Sequence, residues 1–338
     1  MPAGSIDTDR YSAVLRRRGI DLEAGELLIT RFDGSEQEHD LTEPSNCRGH
    51  GRLRHFRRAT APGWPDNPLP IDPARRFLGL TDDPDTLVAQ VFQNAVCNWR
   101  CWYCYVDFPL LSGNRGHGTM FSADELVGLY LDQPRPPAMI DLTGGQPDLV
   151  PEWVPWMLDA LDRRGLQDRV FVWSDDNLSN DYFWTKLSHD EHARIERAAN
   201  YGKVCCFKGF DESSFAFNTA AEPALLNRQF ELMRRLVRET TVDLYAYATF
   251  TTPAIDGVEA AMRDFVDRLQ ELDEYLPLRT VPLQIMAFTP TAGRMRPEHE
   301  RALAMQDEAV ATWTDELHSR FDADALARPI CDVELRRT

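Results

Sequence analysis

No hydrophobic run in the sequence approaches the roughly 18 apolar residues of a membrane-spanning helix, so no membrane association is expected. The first residues, 1–18, also lack the apolar centre of a secretion signal. Basic residues are scarce, because 37 Lys and Arg stand against 54 Asp and Glu, which leaves a formal charge of -17. Such a charge argues against broad non-specific binding to nucleic acids. We therefore expect a cytoplasmic protein that does not have nucleic acid as its partner.

Cysteine is also scarce, since the 338 residues include only 7, an odd number that does not indicate a disulfide framework. Three of them stand close together, at the spacing C-x3-C-x2-C, as Cys97, Cys101 and Cys104. Three close thiolates suit a [4Fe-4S] cluster, whose fourth iron is then open to a small molecule. The other four show no second cluster spacing and are interpreted as free thiols: Cys47, Cys205, Cys206 and Cys331.

Two other interpretations of the three cysteines stay open on the residues alone. A structural zinc site needs four ligands, and the nearest remaining candidate is His117, thirteen residues after Cys104. A redox pair of Cys101 and Cys104 would leave Cys97 without a role. The spacing favours the cluster over both.

From residue 87 onward, short β-branched or aromatic runs alternate with longer helical patterns, which predicts successive βα units and a parallel sheet. The predicted strands are 88–93, 139–142, 170–173, 204–208, 244–250 and 283–288. The predicted helices are 122–131, 152–164, 190–199, 222–239 and 257–272. Six βα units are two short of a closed eightfold barrel, so we expect an open, partial TIM barrel. Its site should lie at the carboxyl ends of the strands.

Three regions are predicted along the chain: an N-terminal accessory segment (1–85), a core (86–292) and a C-terminal helical tail (293–338). The accessory segment has weak periodicity and carries a basic run that stands out in an acidic protein, formed by Arg52, Arg54, Arg57 and Arg58. This run has two interpretations, a solvated surface or a grip on an anionic substrate.

The cysteine motif follows a predicted strand and has Tyr103 at its aromatic position, which resembles the signature of the radical S-adenosylmethionine (radical SAM) enzymes. The resemblance implies that Cys97, Cys101 and Cys104 hold the catalytic cluster, which cleaves S-adenosylmethionine to a 5'-deoxyadenosyl radical. It also implies an electron donor such as flavodoxin or ferredoxin.

Two further motifs follow the next predicted strands. Gly144-Gly145-Gln146-Pro147 resembles the G-G-E-P motif of this family, with Gln146 in place of Glu, and implies contacts of Gly144, Gly145 and Gln146 with the amino group of the cofactor. A tight turn is the alternative for paired glycines. The run from Ser174 to Asn177 resembles the D-T-N-G stretch of the glycyl-radical-enzyme activating enzymes. It implies ribose contacts from Ser174, Asp175 and Asn177, and an Asx turn is the alternative.

Lys208 lies near the end of an otherwise apolar predicted strand, where a charge is costly unless it faces an anion. It matches the Lys of a D-L-K tripeptide in the activating enzymes, which implies contact with the cofactor carboxylate, although Cys206 replaces the Asp. Phe288 falls where members of the family hold the adenine. The run 207–218 resembles the activating-enzyme-like (pyruvate formate-lyase activating enzyme-like) proteins of unassigned substrate.

The resemblance therefore implies an enzyme that abstracts a hydrogen atom from a carbon of a protein, a peptide or a small molecule. The alternative from another class is a non-catalytic iron-sulfur electron-transfer or interaction protein. Such a protein needs neither an open iron nor a cofactor pocket.

Overall fold

A curled, mostly parallel sheet forms the centre of the computed structural model, which describes residues 5–336. The strands are β1 (Ile20–Asp21), β2 (Glu26–Thr30), β3 (Gly51–Arg57), β4 (Thr86–Gln93), β5 (Gly118–Ser122), β6 (Met139–Thr143), β7 (Phe171–Asp176), β8 (Tyr201–Phe207), β9 (Leu244–Ala248) and β10 (Thr280–Pro282). The α-helices are α1 (Thr8–Gly19), α2 (Ile71–Leu78), α3 (Ala123–Leu131), α4 (Trp153–Arg163), α5 (Tyr182–Lys186), α6 (His189–Glu196), α7 (Glu212–Thr219), α8 (Leu225–Glu239), α9 (Val258–Leu272), α10 (Thr289–Ala292), α11 (Pro297–Arg320) and α12 (Ala323–Leu326).

The large sheet has the order β10-β9-β8-β7-β6-β4-β3, in which β3 is antiparallel to β4 and the other neighbours are parallel. The predicted partial TIM barrel is confirmed. The strands β6, β8 and β9 are buried along their whole length, because helices cover the outer face while the inner face lines the barrel. No helix within residues 5–336 is long and apolar enough to cross a membrane.

The first five predicted strands coincide with β4, β6, β7, β8 and β9, but the prediction of the sixth at 283–288 is wrong. The strand there is β10, and it ends at Pro282. The backbone of Ile285 instead bonds to a side chain of α11, with the Ile285 amide 3.1 Å from Gln306 Oε1 and the Ile285 carbonyl 3.0 Å from Gln306 Nε2. These bonds replace the ladder that a strand needs. The predicted helix start at Ser122 is confirmed by a capping box with Glu125.

The described part of the predicted accessory segment is built into the fold. β3 extends the large sheet, and β1 and β2 form a three-stranded sheet with β5. α1 is joined to the core by an ion pair between Arg16 and Glu152. In the predicted tail, α11 packs on α9, with the rings of Trp313 and Phe265 at 6.1 Å. The predicted boundaries between the three regions stay predictions.

Candidate cluster and cofactor site

The cysteine loop follows β4 at the carboxyl edge of the sheet, where parallel α/β sheets bind their ligands. Cys97 and Cys101 are buried, and Cys104 is partly exposed. Main-chain bonds hold the loop in place, from the Cys97 amide to the Leu111 carbonyl at 3.1 Å and from the Trp102 amide to the Asn218 carbonyl at 3.2 Å. These bonds fix the shape of the cysteine loop.

The three thiols lie near enough to influence one another. Burial raises the pKa of each of them, and that of Cys101 to about 12. At Cys101, Lys208 partly offsets burial, whereas the thiols of Cys104 and Cys97 raise the pKa further. Iron must therefore displace protons that burial holds on these sulfurs.

A [4Fe-4S] cluster fits this donor set. Within residues 5–336 no three His, Cys, Asp or Glu side chains converge on a single ion. Each thiolate of a cubane binds a different iron, so its three ligands do not need to converge on one point. Cys97 and Cys101 lie among apolar side chains, which would limit the access of solvent to a cluster.

The two glycines of the turn after β6 pack directly against the cysteine loop. Gly144 and Gly145 have φ of +70° and +65°, in the left-handed region that glycine tolerates best. A Cβ on Gly145 would lie 2.4 Å from the Val96 carbonyl oxygen, which is closer than atoms can approach. The Gln146 amide donates to the same carbonyl at 2.8 Å. Only glycine therefore permits this contact between turn and loop.

Gln146 is fully buried, and both ends of its amide are occupied. Its Nε2 donates to Asp176 Oδ1 at 2.8 Å, and its Oε1 accepts from the Asn177 amide at 2.9 Å. This pairing places Asn177 Nδ2 3.9 Å from the sulfur of Cys97. Gln146 thus positions the end of β7 beside the cysteines, and its predicted contact with the cofactor stays a prediction.

The side chains of Ser174 and Asp175 lie on opposite faces of β7. The Ser174 hydroxyl bonds to Tyr201 at 2.7 Å, on the face covered by helices. Asp175 faces the barrel interior, where its carboxylate accepts from the Thr143 hydroxyl. Burial raises the pKa of Asp175, while Thr143 and the positive charges of Arg54 and Lys208 lower it. The ribose role predicted for Ser174 and Asp175 is untested, and only Asp175 places its side chain in the interior.

Lys208 carries a buried ammonium, with 8% of the residue exposed. Within residues 5–336 its Nζ makes no hydrogen bond or ion pair, while its main-chain N–H donates to Gln229 Oε1 at 3.1 Å. Burial lowers the pKa of Lys208, but Cys206, Tyr103 and the thiol of Cys101 raise it more, so the group stays charged. A buried cation without a bonded partner suits an anionic ligand.

Two other predicted cofactor residues border the same interior. The hydroxyl of Tyr103 lies 3.2 Å from that of Thr249, the residue that follows β9. Phe288 immediately precedes α10, and its ring lies 6.0 Å from that of Tyr105 in an edge-on arrangement. The structure therefore brings all the predicted motifs to one edge of the barrel, while the roles predicted for Tyr103 and Phe288 remain untested.

Sequence reasoning missed Arg294, which fastens the cysteine loop. Its Nη2 donates to the carbonyl of Cys104 at 2.9 Å and to that of Val106 at 3.0 Å, and its guanidinium stacks on Phe108 at 3.8 Å. No local pattern marks Arg294, because its partners lie nearly 190 residues earlier in the chain.

Sequence reasoning also missed Asp141, whose signal is present in the sequence as one acidic residue within the apolar strand β6. Both carboxylate oxygens of Asp141 are buried, and neither has a hydrogen-bond partner among residues 5–336. Burial and the charge of Asp175 raise the pKa of Asp141 to about 7, although Arg54 lowers it. Its Oδ2 lies 3.6 Å from Arg54 Nη1.

The four arginines of the basic run lie in and just after β3, and they do not share one environment. Arg52 and Arg54 point toward the interior, since the pKa values of both respond to Tyr105 and Asp141. Arg58 instead pairs on the surface with Asp72 and Asp85, the latter at 3.1 Å. Arg57 is exposed. The surface interpretation therefore holds for Arg57 and Arg58, whereas the grip of Arg52 and Arg54 on an anionic substrate stays a prediction.

No family model matches the chain, and no curated protein shows significant similarity to it. Among solved structures, Streptococcus suis SuiB bound to precursor peptide SuiA is similar, with 14% identity and a TM-score of 0.38 over 54% of this chain and 36% of that one. SuiB bound to S-adenosylmethionine gives 15% identity and a TM-score of 0.39 over 54% and 37%. The match thus spans little more than a third of SuiB, and at these TM-scores it assigns no function.

Proposed function

We propose that the protein is a radical SAM enzyme in which Cys97, Cys101 and Cys104 hold a [4Fe-4S] cluster. The observation that carries the proposal is the meeting of three neighbouring thiols, two buried and that of Cys104 partly exposed, with the Gly144–Gly145 turn at one sheet edge. When bound, the cluster supplies the electron that cleaves S-adenosylmethionine into methionine and a 5'-deoxyadenosyl radical, which takes a hydrogen atom from a substrate carbon. Flavodoxin or ferredoxin is the proposed electron donor.

The residues around the thiols have separate roles in this proposal. Lys208 binds the cofactor carboxylate, because its ammonium is buried and otherwise unpaired. The backbone of Gly144 and Gly145 receives the amino group, and Gln146 positions this turn against Asn177. Asp175 is placed to accept hydrogen bonds from the ribose. The surrounding aromatic side chains limit the access of solvent and other small molecules to the radical, which excludes competing reactions.

Iron binding is the first test. We expect anaerobic reconstitution to load about four irons and four sulfides per chain. Replacing Cys97, Cys101 and Cys104 together by Ala should abolish this loading and the cluster absorbance. The matched control is Cys331→Ala, a partly exposed thiol outside the site, which should load normally. Equal iron in the triple variant would reject the cluster assignment.

Cofactor binding and cleavage are the second test. Reduced, reconstituted protein should convert S-adenosylmethionine to 5'-deoxyadenosine and methionine, both measurable by chromatography. Lys208→Gln removes the proposed charge-assisted bond to the cofactor carboxylate. The dissociation constant of this variant for S-adenosylmethionine should therefore rise by about tenfold or more. Lys186→Gln removes an equal charge from outside the site and should change nothing. A loaded cluster that yields neither product would favour the non-catalytic iron-sulfur protein.

A further inference from the structure

A cavity of about 340 Å³ with mostly apolar walls opens at the mouth of the barrel, next to the proposed cofactor site. Arg52 and Arg54 of β3 line one side, while Tyr105 of the cysteine loop and Phe288 line another. Small-molecule sites in proteins have volumes of about 300–1,000 Å³, so this cavity suits a small ligand rather than a folded protein surface.

The two arginines have donor groups to spare. Arg52 Nε is buried and has no hydrogen-bond partner within residues 5–336. Arg54 lies 3.6 Å from Asp141, which is longer than the about 2.7–2.9 Å of a charge-assisted hydrogen bond. Two partly paired guanidinium groups on one face of a strand are suited to bind an oxyanion, because each presents several N–H donors.

Asp141 lies behind Arg54 and is not among the residues that line the cavity. Its two carboxylate oxygens are buried and make no hydrogen bond within residues 5–336. The charge of Asp141 attracts the guanidinium of Arg54 and so orients it, while the other N–H groups of Arg54 stay available to a ligand.

The interior connects this cavity with the proposed cofactor site. Asp175 interacts electrostatically both with Arg54, which lines the cavity, and with Lys208, which belongs to the proposed cofactor site. Tyr105 extends from the cysteine loop, and its hydroxyl interacts with Arg52 and Thr143. A ligand held by the arginines therefore lies beside the place where a radical would form.

We propose that this cavity binds the substrate, and that the substrate is a small acid whose oxyanion contacts Arg52 and Arg54. The inference rests on the proposed function, since it names the substrate class of that enzyme. The carboxylate and the phosphate ester are the two sources of such an oxyanion. The acidic net charge of the whole chain does not oppose it, because these positive groups are local and the surrounding walls have low polarity.

The test is titration calorimetry of the reconstituted protein with succinate, malate and inorganic phosphate at constant ionic strength. We expect binding of at least one of them. Tighter phosphate than succinate binding supports a phosphate ester, and the reverse supports a carboxylic acid. Failure of the unaltered protein to bind any of the three overturns the inference.

Variants assign the binding to the cavity. Arg52→Gln and Arg54→Gln should each weaken anion binding about tenfold, and Arg52→Lys should weaken it less because it keeps the charge. The control Arg238→Gln changes an exposed arginine of α8 and should bind like the unaltered protein. Equal affinity in all these variants overturns the inference.

These titrations need no S-adenosylmethionine cleavage, so the two proposals fail separately. Cleavage without anion binding overturns only the substrate inference. Anion binding without cleavage overturns only the radical SAM function. Hydrogen transfer from a labelled peptide, but from no small acid, would also overturn the substrate inference.

Discussion

At the residue scale, Gly145 and Gly165 show that a glycine can be required for its backbone conformation alone or also for the close approach of another part of the chain. Both have φ of +65°, but a Cβ would meet a carbonyl at Gly145 and nothing within 4 Å at Gly165. We expect Gly165→Ala to cost about 1 kcal/mol of the free energy of unfolding and Gly145→Ala about 3 kcal/mol or more. Urea unfolding followed by circular dichroism measures both. Equal costs would mean that the turn after β6 can move away from the cysteine loop.

At the element scale, a buried ionic group joins β8 to the turn after β6 and to the end of β7. Lys203 Nζ lies 2.7 Å from both oxygens of Asp148 and 3.5 Å from Asp176 Oδ2, and all three residues are buried. Burial lowers the pKa of Lys203, but the two carboxylates raise it more, so the ammonium stays charged. The group holds the turn after β6 against the end of β7, where Gln146 also bonds to Asp176.

Lys203→Met leaves two buried carboxylates without a counter-charge, and we expect a loss of about 3–5 kcal/mol in the free energy of unfolding. Adding Asp148→Leu should recover part of this loss, because it removes one of the uncompensated acids. The control is Lys186→Met, which changes an exposed lysine at the end of α5. It should leave the free energy of unfolding nearly unchanged. Urea unfolding of the four proteins checks the order. A small effect of Lys203→Met alone would show that water reaches the group.

At the scale of the whole molecule, β3 covers what would otherwise be an open edge of the barrel. Arg54 pairs with Ala89, and the register runs along the whole of β3. Removing residues 1–57 would expose the unpaired backbone of β4 and the apolar face beneath it, so we expect aggregation. Size-exclusion chromatography and light scattering check this. Glu152→Gln, which weakens only the attachment of α1, should stay monomeric. A monomeric fragment with an unchanged unfolding midpoint would contradict the prediction.

Local sequence pattern was sufficient for the parallel strands of the core, because a strand buried on both faces is a continuous apolar run bounded by turns. It was insufficient where the backbone finds a distant side-chain partner. Ile285 has a strand-like pattern, yet Gln306 takes its hydrogen bonds. It was also insufficient for β3, whose arginines look like a surface run until pairing with β4 turns Arg52 and Arg54 inward.

The sequence by itself determined the spacing of the three cysteines, the order of the βα units and the position of each motif after a strand. These depend on neighbours within a few residues, or on the rule that parallel strands end at one edge. Only the tertiary structure decided that Asp175 faces the interior while Ser174 does not, and that Gln146 is already paired. It also decided that the carboxylate of Asp141 lies near Arg54 but makes no hydrogen bond within residues 5–336. Each of these depends on atoms that chain folding brings together across tens of residues, and local periodicity contains no information about such contacts.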